Sequence, residues 1–374
     1  MKGLPTAFGL LAIVGGTLIG VVLIQNWERP PVIGIQHGFR GTAMDVLYNP
    51  RTLSALAAAN KLPDPVDKVD PSGTPSGLSK DYQNIKVLKS VDSNEFLRDM
   101  SAITEWVSPQ QSCNYCHNQD NLADDSLYTK VVARRMIQMV QYINSHWKSH
   151  VGATGVTCYT CHRGNPVPSQ IWYENPGPAR AGGLAETDVG KNHPAAILVN
   201  DESSLPYDPF TPFLLGDANI RVQSTQALPG TDYQSIKQTD WTYSLMIHFS
   251  KSLGVNCTYC HDSRSWESWP ESMPQRVTAW YGIRMVRALN NDYLAGLHGV
   301  FPAARLGKEG DVPKINCATC HQGVYKPLYG ASMIGSFPEL TEATDVLAAP
   351  PPAAAPAPAA PPAPATPPAA APKP

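Results

Sequence analysis

The sequence predicts a mainly α-helical chain with extensive irregular loops, assembled from two duplicated halves behind an N-terminal transmembrane helix. Three observations predict it. The pentads CNYCH, CYTCH, CTYCH and CATCH recur along 374 residues and use all eight cysteines. A stretch of helical periodicity precedes each pentad. The chain opens on an uncharged apolar run and carries 36 prolines, more than a compact helical bundle accommodates.

The pentads place Cys113 and Cys116 before His117, Cys158 and Cys161 before His162, Cys257 and Cys260 before His261, and Cys317 and Cys320 before His321. A zinc site explains paired thiols but gives no reason for a histidine after every pair, and the spacings exceed those of zinc ribbons. A thioredoxin-like thiol pair does not account for four copies. Covalent haem accounts for every position. The two thiols add to the porphyrin's vinyl groups, and the adjacent imidazole becomes an axial iron ligand. The cysteines are thus read as anchors of four covalently bound haem c groups, with one histidine of each pentad on iron. The predicted fold is a multihaem cytochrome c of two di-haem halves. Four large flat macrocycles would also serve as core in a chain that is only 8% aromatic.

The N-terminal run Leu4 to Ile24 holds no charge. As a helix it is about 31 Å long, enough to cross the hydrocarbon core. It exceeds a usual signal-peptide h-region, and no A-x-A-like site follows it, so a retained anchor over residues 1–30 is expected. Lys2 favours a cytoplasmic N-terminus. Attachment of haem outside the cytoplasmic membrane puts residues 31–345 on the periplasmic side of that inner membrane, with membrane lipid around a single span. Gly16 and Gly20 form a GxxxG pair, which chance explains well enough. Residues 346–374, almost wholly Ala and Pro beyond Ala348, read as a disordered tail. A net charge of −2 argues against a nucleic-acid partner.

Each iron needs a second axial ligand. Asp92 and Glu95 open a helix with Phe96, Met100, Ile103 and Trp106 on one face. A second helix aligns Val132, Met136, Met139, Val140, Ile143 and Trp147. A third carries Met246, Phe249 and Leu253 and stops at Gly254, and a fourth starts at Pro274 with Val277, Tyr281, Met285 and Leu289. The units pair into halves at about 92–165 and 236–330, joined by a Pro- and Gly-rich connector at 166–235. First cysteines are 45 residues apart in one half and 60 in the other, so the copies have diverged. Met100, Met136 and Met246 each precede a pentad on a face that must cover something flat and apolar. Duplication alone favours Met285 for the fourth iron, with His150 the rival; spacing does not choose. His37, His146, His193, His248 and His298 are assigned to no iron.

The segments GFRG, FLRDMSAITEWVSPQ, VVARRM, HVGATGVTCYTCHRG, YDPFTPFL, SLGVNCTYCH, GIRMVR and CHQGVYKPLYGAS resemble, in the same order, those of the tetrahaem cytochrome subunit of purple-bacterial photosynthetic reaction centres, over about residues 36–340. The resemblance implies Met100, Met136 and Met246 as sixth ligands of the first three haems and His150, rather than Met285, for the fourth. It implies that Arg276 lies near the third haem. Relatives begin at a lipid-bearing cysteine, and this chain has no spare one.

The resemblance further implies a haem order first, second, fourth, third, with the third nearest the bacteriochlorophyll special pair of the reaction-centre core subunits. The chain would re-reduce that pair. The donor would be a soluble periplasmic cytochrome c or a high-potential iron–sulphur protein, and Asp120, Asp124 and Asp125 offer an acidic landing patch for a basic one. Four six-coordinate irons leave no open position, so electron transfer without substrate chemistry is expected, and the chain is not an enzyme. A membrane-anchored tetrahaem quinol dehydrogenase or other respiratory conduit is the alternative; it calls for histidine-rich ligation, against which the three spaced methionines count. A multihaem reductase would need an open iron.

Overall fold

The computed structural model describes residues 4–26, 32–38, 41, 43–175, 205–206, 208–220 and 236–342. The tail, His193 and most of the connector lie outside the described residues. The first element is helix α1, Leu4–Asn26. Its aliphatic side chains face outward, with Leu11 and Ile13 each 70% exposed. Among the described residues no helix is long and apolar enough to cross a membrane.

A hairpin absent from the sequence reading follows. Strands β1 (Ile33–Gln36) and β2 (Asp45–Tyr48) pair antiparallel, with Ile33 opposite Tyr48 and Gln36 opposite Asp45. Runs of four residues are too short for alternation to mark. What holds this hairpin is the third pentad. Met44 N donates to Thr258 Oγ1 at 3.1 Å, Asn256 Nδ2 donates to Met44 O at 3.1 Å, and Tyr48 OH donates to Gly254 O at 3.2 Å. Gly38, at φ +110°, passes so close that a Cβ would lie 2.5 Å from Thr258 O.

The remaining helices are α2 (Pro50–Ala59), α3 (Ser93–Val107), α4 (Tyr128–His146), α5 (Lys148–Val151), α6 (Cys158–His162), α7 (Ile236–Leu253), α8 (Pro274–Ala288) and α9 (Cys317–His321). The four expected amphipathic helices are α3, α4, α7 and α8. Asp92 caps α3 by accepting from Asn94 N at 2.9 Å. It is not paired with Glu95 in a box: Glu95 binds Arg98 at 3.0 Å, and Asp92 also accepts from Ser72 N and Gly73 N. These donors hold its carboxyl down at about 2.

Two cores flank α4. Ile137 and Val140 join Val87, Phe96, Trp106 and Phe337 on one side, while Met139 and Ile143 join Phe213, Leu214, Leu245, Val286 and Leu289 on the other. The period of 3.6 residues lets one helix serve both. The segment 332–340 crosses back from the last pentad to the first half. Phe337 packs edge-on against Trp106 at 4.6 Å, Arg98 Nη1 donates to Ser336 O, and Asn144 Nδ2 donates to Leu340 O.

The second and fourth pentads answer each other across the fold. Both are short helices entered through a hydroxyl of their own first turn: Thr157 N donates to Thr160 Oγ1, and Asn316 N to Thr319 Oγ1, each at 3.0 Å. Both end on a left-handed residue, Arg163 or Gln322, and a glycine. Gly164 N then binds Trp106 O on α3, and Gly323 N binds Ser252 O on α7. Finally Arg163 Nη2 donates to Cys320 O and Gln322 Nε2 donates to Cys161 O, each at 3.3 Å. The contact is reciprocal, as in an isologous interface.

Candidate haem sites

The first and third pentads are 3₁₀ turns rather than helices, at Ser112–Tyr115 and Cys257–Tyr259. All four nevertheless treat their histidine alike. Nδ1 donates to a backbone carbonyl: His117 to Leu122 O and His162 to Asn165 O at 2.9 Å, His261 to Trp266 O at 2.8 Å, and His321 to Val324 O at 3.0 Å. The acceptor lies five residues on in the first and third and three residues on in the second and fourth. A carbonyl can only accept, so Nδ1 carries the proton and Nε2 keeps its lone pair, the tautomer a metal needs.

A fifth histidine follows the same rule. His150 Nδ1 donates to Thr278 O of α8 at 2.9 Å. Its ring centre lies 6.1 Å from that of His321, the planes at 67°. Two metal–nitrogen bonds of about 2 Å each, with the distance from nitrogen to ring centre on either side, span about that gap. Burial keeps both rings neutral, and the neighbouring His150 helps push His321 down to about 4. Met285, which duplication alone favoured, is buried in the core beside Ile283 and Val286. Helix α8 contributes a socket for His150, where Gly282 presents no Cβ.

Other described histidines are bound differently. His37 Nε2 meets Tyr48 OH, His146 Nδ1 meets Ser145 Oγ, and His248 Nε2 meets Ser252 Oγ.

A cavity of about 1330 Å³ runs between the second, third and fourth pentads, lined by their cysteines and histidines together with Met136, Met246, His150, Met285 and Arg276. Packed interiors leave few voids larger than a water molecule, so this chain is folded around material other than its own side chains. The walls are chiefly aliphatic and aromatic, which suits flat apolar macrocycles. Arg163 Nη1, a buried cation nitrogen without a partner beside Cys161 and Cys320, suits an acidic substituent on one. The residues fit haem. Cys116, Tyr115, Ile103 and Val107 reach the same cavity, whereas Met100, Cys113 and His117 stand outside its lining.

Burial pushes Cys116 and Cys260 up to about 11 and Cys158 and Cys317 to about 12, opposite to the depressed values of redox-active pairs. Arg276 sits by the third site, where its charge opposes the burial that raises Cys260 and adds to the burial that lowers His261. The acidic patch is not a set of free carboxylates. Asp125 accepts from Lys86 Nζ at 2.7 Å, Arg134 Nη1 at 2.9 Å and Lys130 Nζ at 3.3 Å, and Asp124 accepts from Ser126 Oγ at 2.6 Å.

The carbonyls that set the tautomers, the His150 socket at Gly282 and Trp266, whose ring stacks on His261 at 4.9 Å, were missed in the sequence. Only the constant five- and three-residue offsets could have signalled the carbonyls, since a backbone acceptor has no residue identity.

Vinyl-reactive thiol pairs, neutral imidazoles with Nε2 available, and a macrocycle-sized apolar cavity define a c-type cytochrome. Residues 28–341 match the family model described as photosynthetic reaction centre cytochrome C subunit. The chain is 53% identical over 329 residues to the photosynthetic reaction center cytochrome c subunit of Rubrivivax gelatinosus, covering 87% of this chain and 88% of the relative. It is 45% identical to that of Thermochromatium tepidum, covering 90% and 82%, and 38% identical to that of Roseobacter denitrificans, covering 89% and 93%. The chain belongs to the photosynthetic reaction centre cytochrome c subunit family, and is an electron-transfer subunit of a membrane-associated complex rather than an enzyme.

Proposed function

We propose that the chain carries electrons through four covalently bound haem c groups, from a soluble periplasmic cytochrome c or high-potential iron–sulphur protein to the photo-oxidised special pair of the reaction centre. The observation that carries this is the common tautomer of five histidines, four in pentads and His150 opposite the fourth. Cys113, Cys116, His117 and Met100 would hold the first group, and Cys158, Cys161, His162 and Met136 the second. Cys257, Cys260, His261 and Met246 would hold the third, and Cys317, Cys320, His321 and His150 the fourth. When bound, each haem supplies a one-electron iron couple whose potential its axial ligands and burial set. The residues do the rest: thiols fix position, carbonyls fix ring orientation, and two protein donors per iron leave no place for a substrate.

The reciprocal Arg163 and Gln322 contacts and the matched Trp106 and Ser252 acceptors support two copies of one di-haem unit. The body would lie on the periplasmic face of the inner membrane, held by α1, whose 23 residues correspond to about 34 Å of helix. The hairpin at 33–48 begins seven residues beyond α1, so its start is within about 25 Å of the anchor's end, and it is bonded to the third pentad. This favours the third site as the exit toward the membrane-embedded pigments.

Mass spectrometry of the intact chain counts the attached groups, and flash spectroscopy of membranes with and without it times recovery of the special pair. Four groups and faster recovery are expected. Fewer groups, or equal recovery, would overturn the proposal.

A further inference from the structure

We infer that Trp266 is a positioning residue of the third site: its indole lies on the His261 imidazole, holds the plane of that ring, and keeps water from its proximal side. The inference rests on His261 as an iron ligand, as proposed above.

The two rings are nearly parallel, at 6°, with centres 4.9 Å apart. The carbonyl of the same residue accepts the His261 Nδ1 proton at 2.8 Å. A hydrogen bond to one atom fixes direction but leaves rotation about its own axis; a stacked plane removes that freedom. Trp266 supplies both. Its loop is in turn clamped by Arg276, whose Nη1 donates to Ser268 O at 2.9 Å and Ser272 Oγ at 2.6 Å and whose guanidinium lies 4.3 Å over Trp269. The first pentad has the same five-residue offset, but Leu122 stands there, 60% exposed and without a ring to stack. Among the described residues no other carbonyl-bound imidazole has a parallel aromatic partner.

The consequence is directional. Oxidation adds positive charge at the metal, and water near the imidazole stabilises that charge. Trp266 is 44% exposed, so its outer face meets solvent while its inner face keeps solvent off His261. Removing the ring admits water, favours the oxidised form and lowers the midpoint of the third site. The attraction of a π face for the added charge acts in the opposite sense and survives in a phenylalanine variant.

The test uses the full chain with its haems, titrated site by site, with electron paramagnetic resonance reporting ring orientation. Trp266→Leu is expected to lower the third midpoint and broaden its signal, Trp266→Phe to restore both, and the other three sites to stay in place. Leu122→Trp is expected to raise the first midpoint. An unchanged third site in Trp266→Leu, or equal changes in the Leu and Phe variants, overturns the inference. If Trp266→Leu loses its covalent group, Leu122→Trp decides, and a first midpoint that does not rise overturns it. A wild-type chain with fewer than four attached groups instead sinks the underlying haem assignment, and mass spectrometry distinguishes that case.

Discussion

Gly282 of α8 and His150 of α5 touch so closely that a Cβ at position 282 would stand 2.6 Å from His150 Cε1. The imidazole occupies the space where a side chain would be, and its Nδ1 donates to Thr278 O one turn earlier. Helix α8 therefore serves the fourth site through what it lacks.

Gly282→Ala should push His150 out of register with His321. The fourth site is expected to lose its bis-histidine resonance signal while the other three keep theirs, and overpacking should cost about 1–3 kcal/mol in stability. Met285→Leu is expected to leave that signal intact, because His150 is the side chain that faces His321, at 6.1 Å between ring centres. Low-temperature spectra of the two variants check this; a signal lost only in Met285→Leu would reverse the assignment.

Met246→Leu should lower the third midpoint, since thioether ligation favours the reduced iron. A fall of about 60 mV shifts the one-electron equilibrium tenfold. Redox titration and the recovery rate of the special pair should move together, and an unchanged midpoint would remove Met246 from the iron.

Asp125 ties Lys86 and two cations of α4, Lys130 and Arg134, into one cluster. The Arg134 guanidinium first, then Lys86, holds its carboxyl well below the usual carboxylate range. A depressed folded pKa stabilises above the ordinary value near 4 and is lost as pH falls through the folded one. Asp125→Asn should therefore cost on the order of 2 kcal/mol at pH 7, with the gap to wild type closing below about pH 4. Thermal melts at pH 7, 5 and 3 would show it; a gap independent of pH contradicts the ion cluster.

Carbon monoxide should leave the spectrum of the reduced chain unchanged, because each iron is predicted to carry two protein ligands. Rapid binding at any site would expose an open position and argue for substrate chemistry.

The pentads alone located eight thiols and four histidines, because covalent attachment demands fixed residue types at fixed local spacing. Local periodicity also gave α3, α4, α7 and α8, since apolar side chains recur at the helical period in each, even where α4 faces two cores. What lies far apart in the chain was not legible. His150 and Met285 were indistinguishable by spacing, and only the fold shows that His150 fills the space left at Gly282 and faces His321 while Met285 packs beside Ile283 and Val286. The hairpin on the third pentad, the return of Phe337 to Trp106 and the capture of Asp125 by α4 likewise depend on backbone groups and contacts between distant segments. Sequence fixes chemistry where the requirement is local and covalent; tertiary structure decides it where the requirement is space and a carbonyl that any residue can supply.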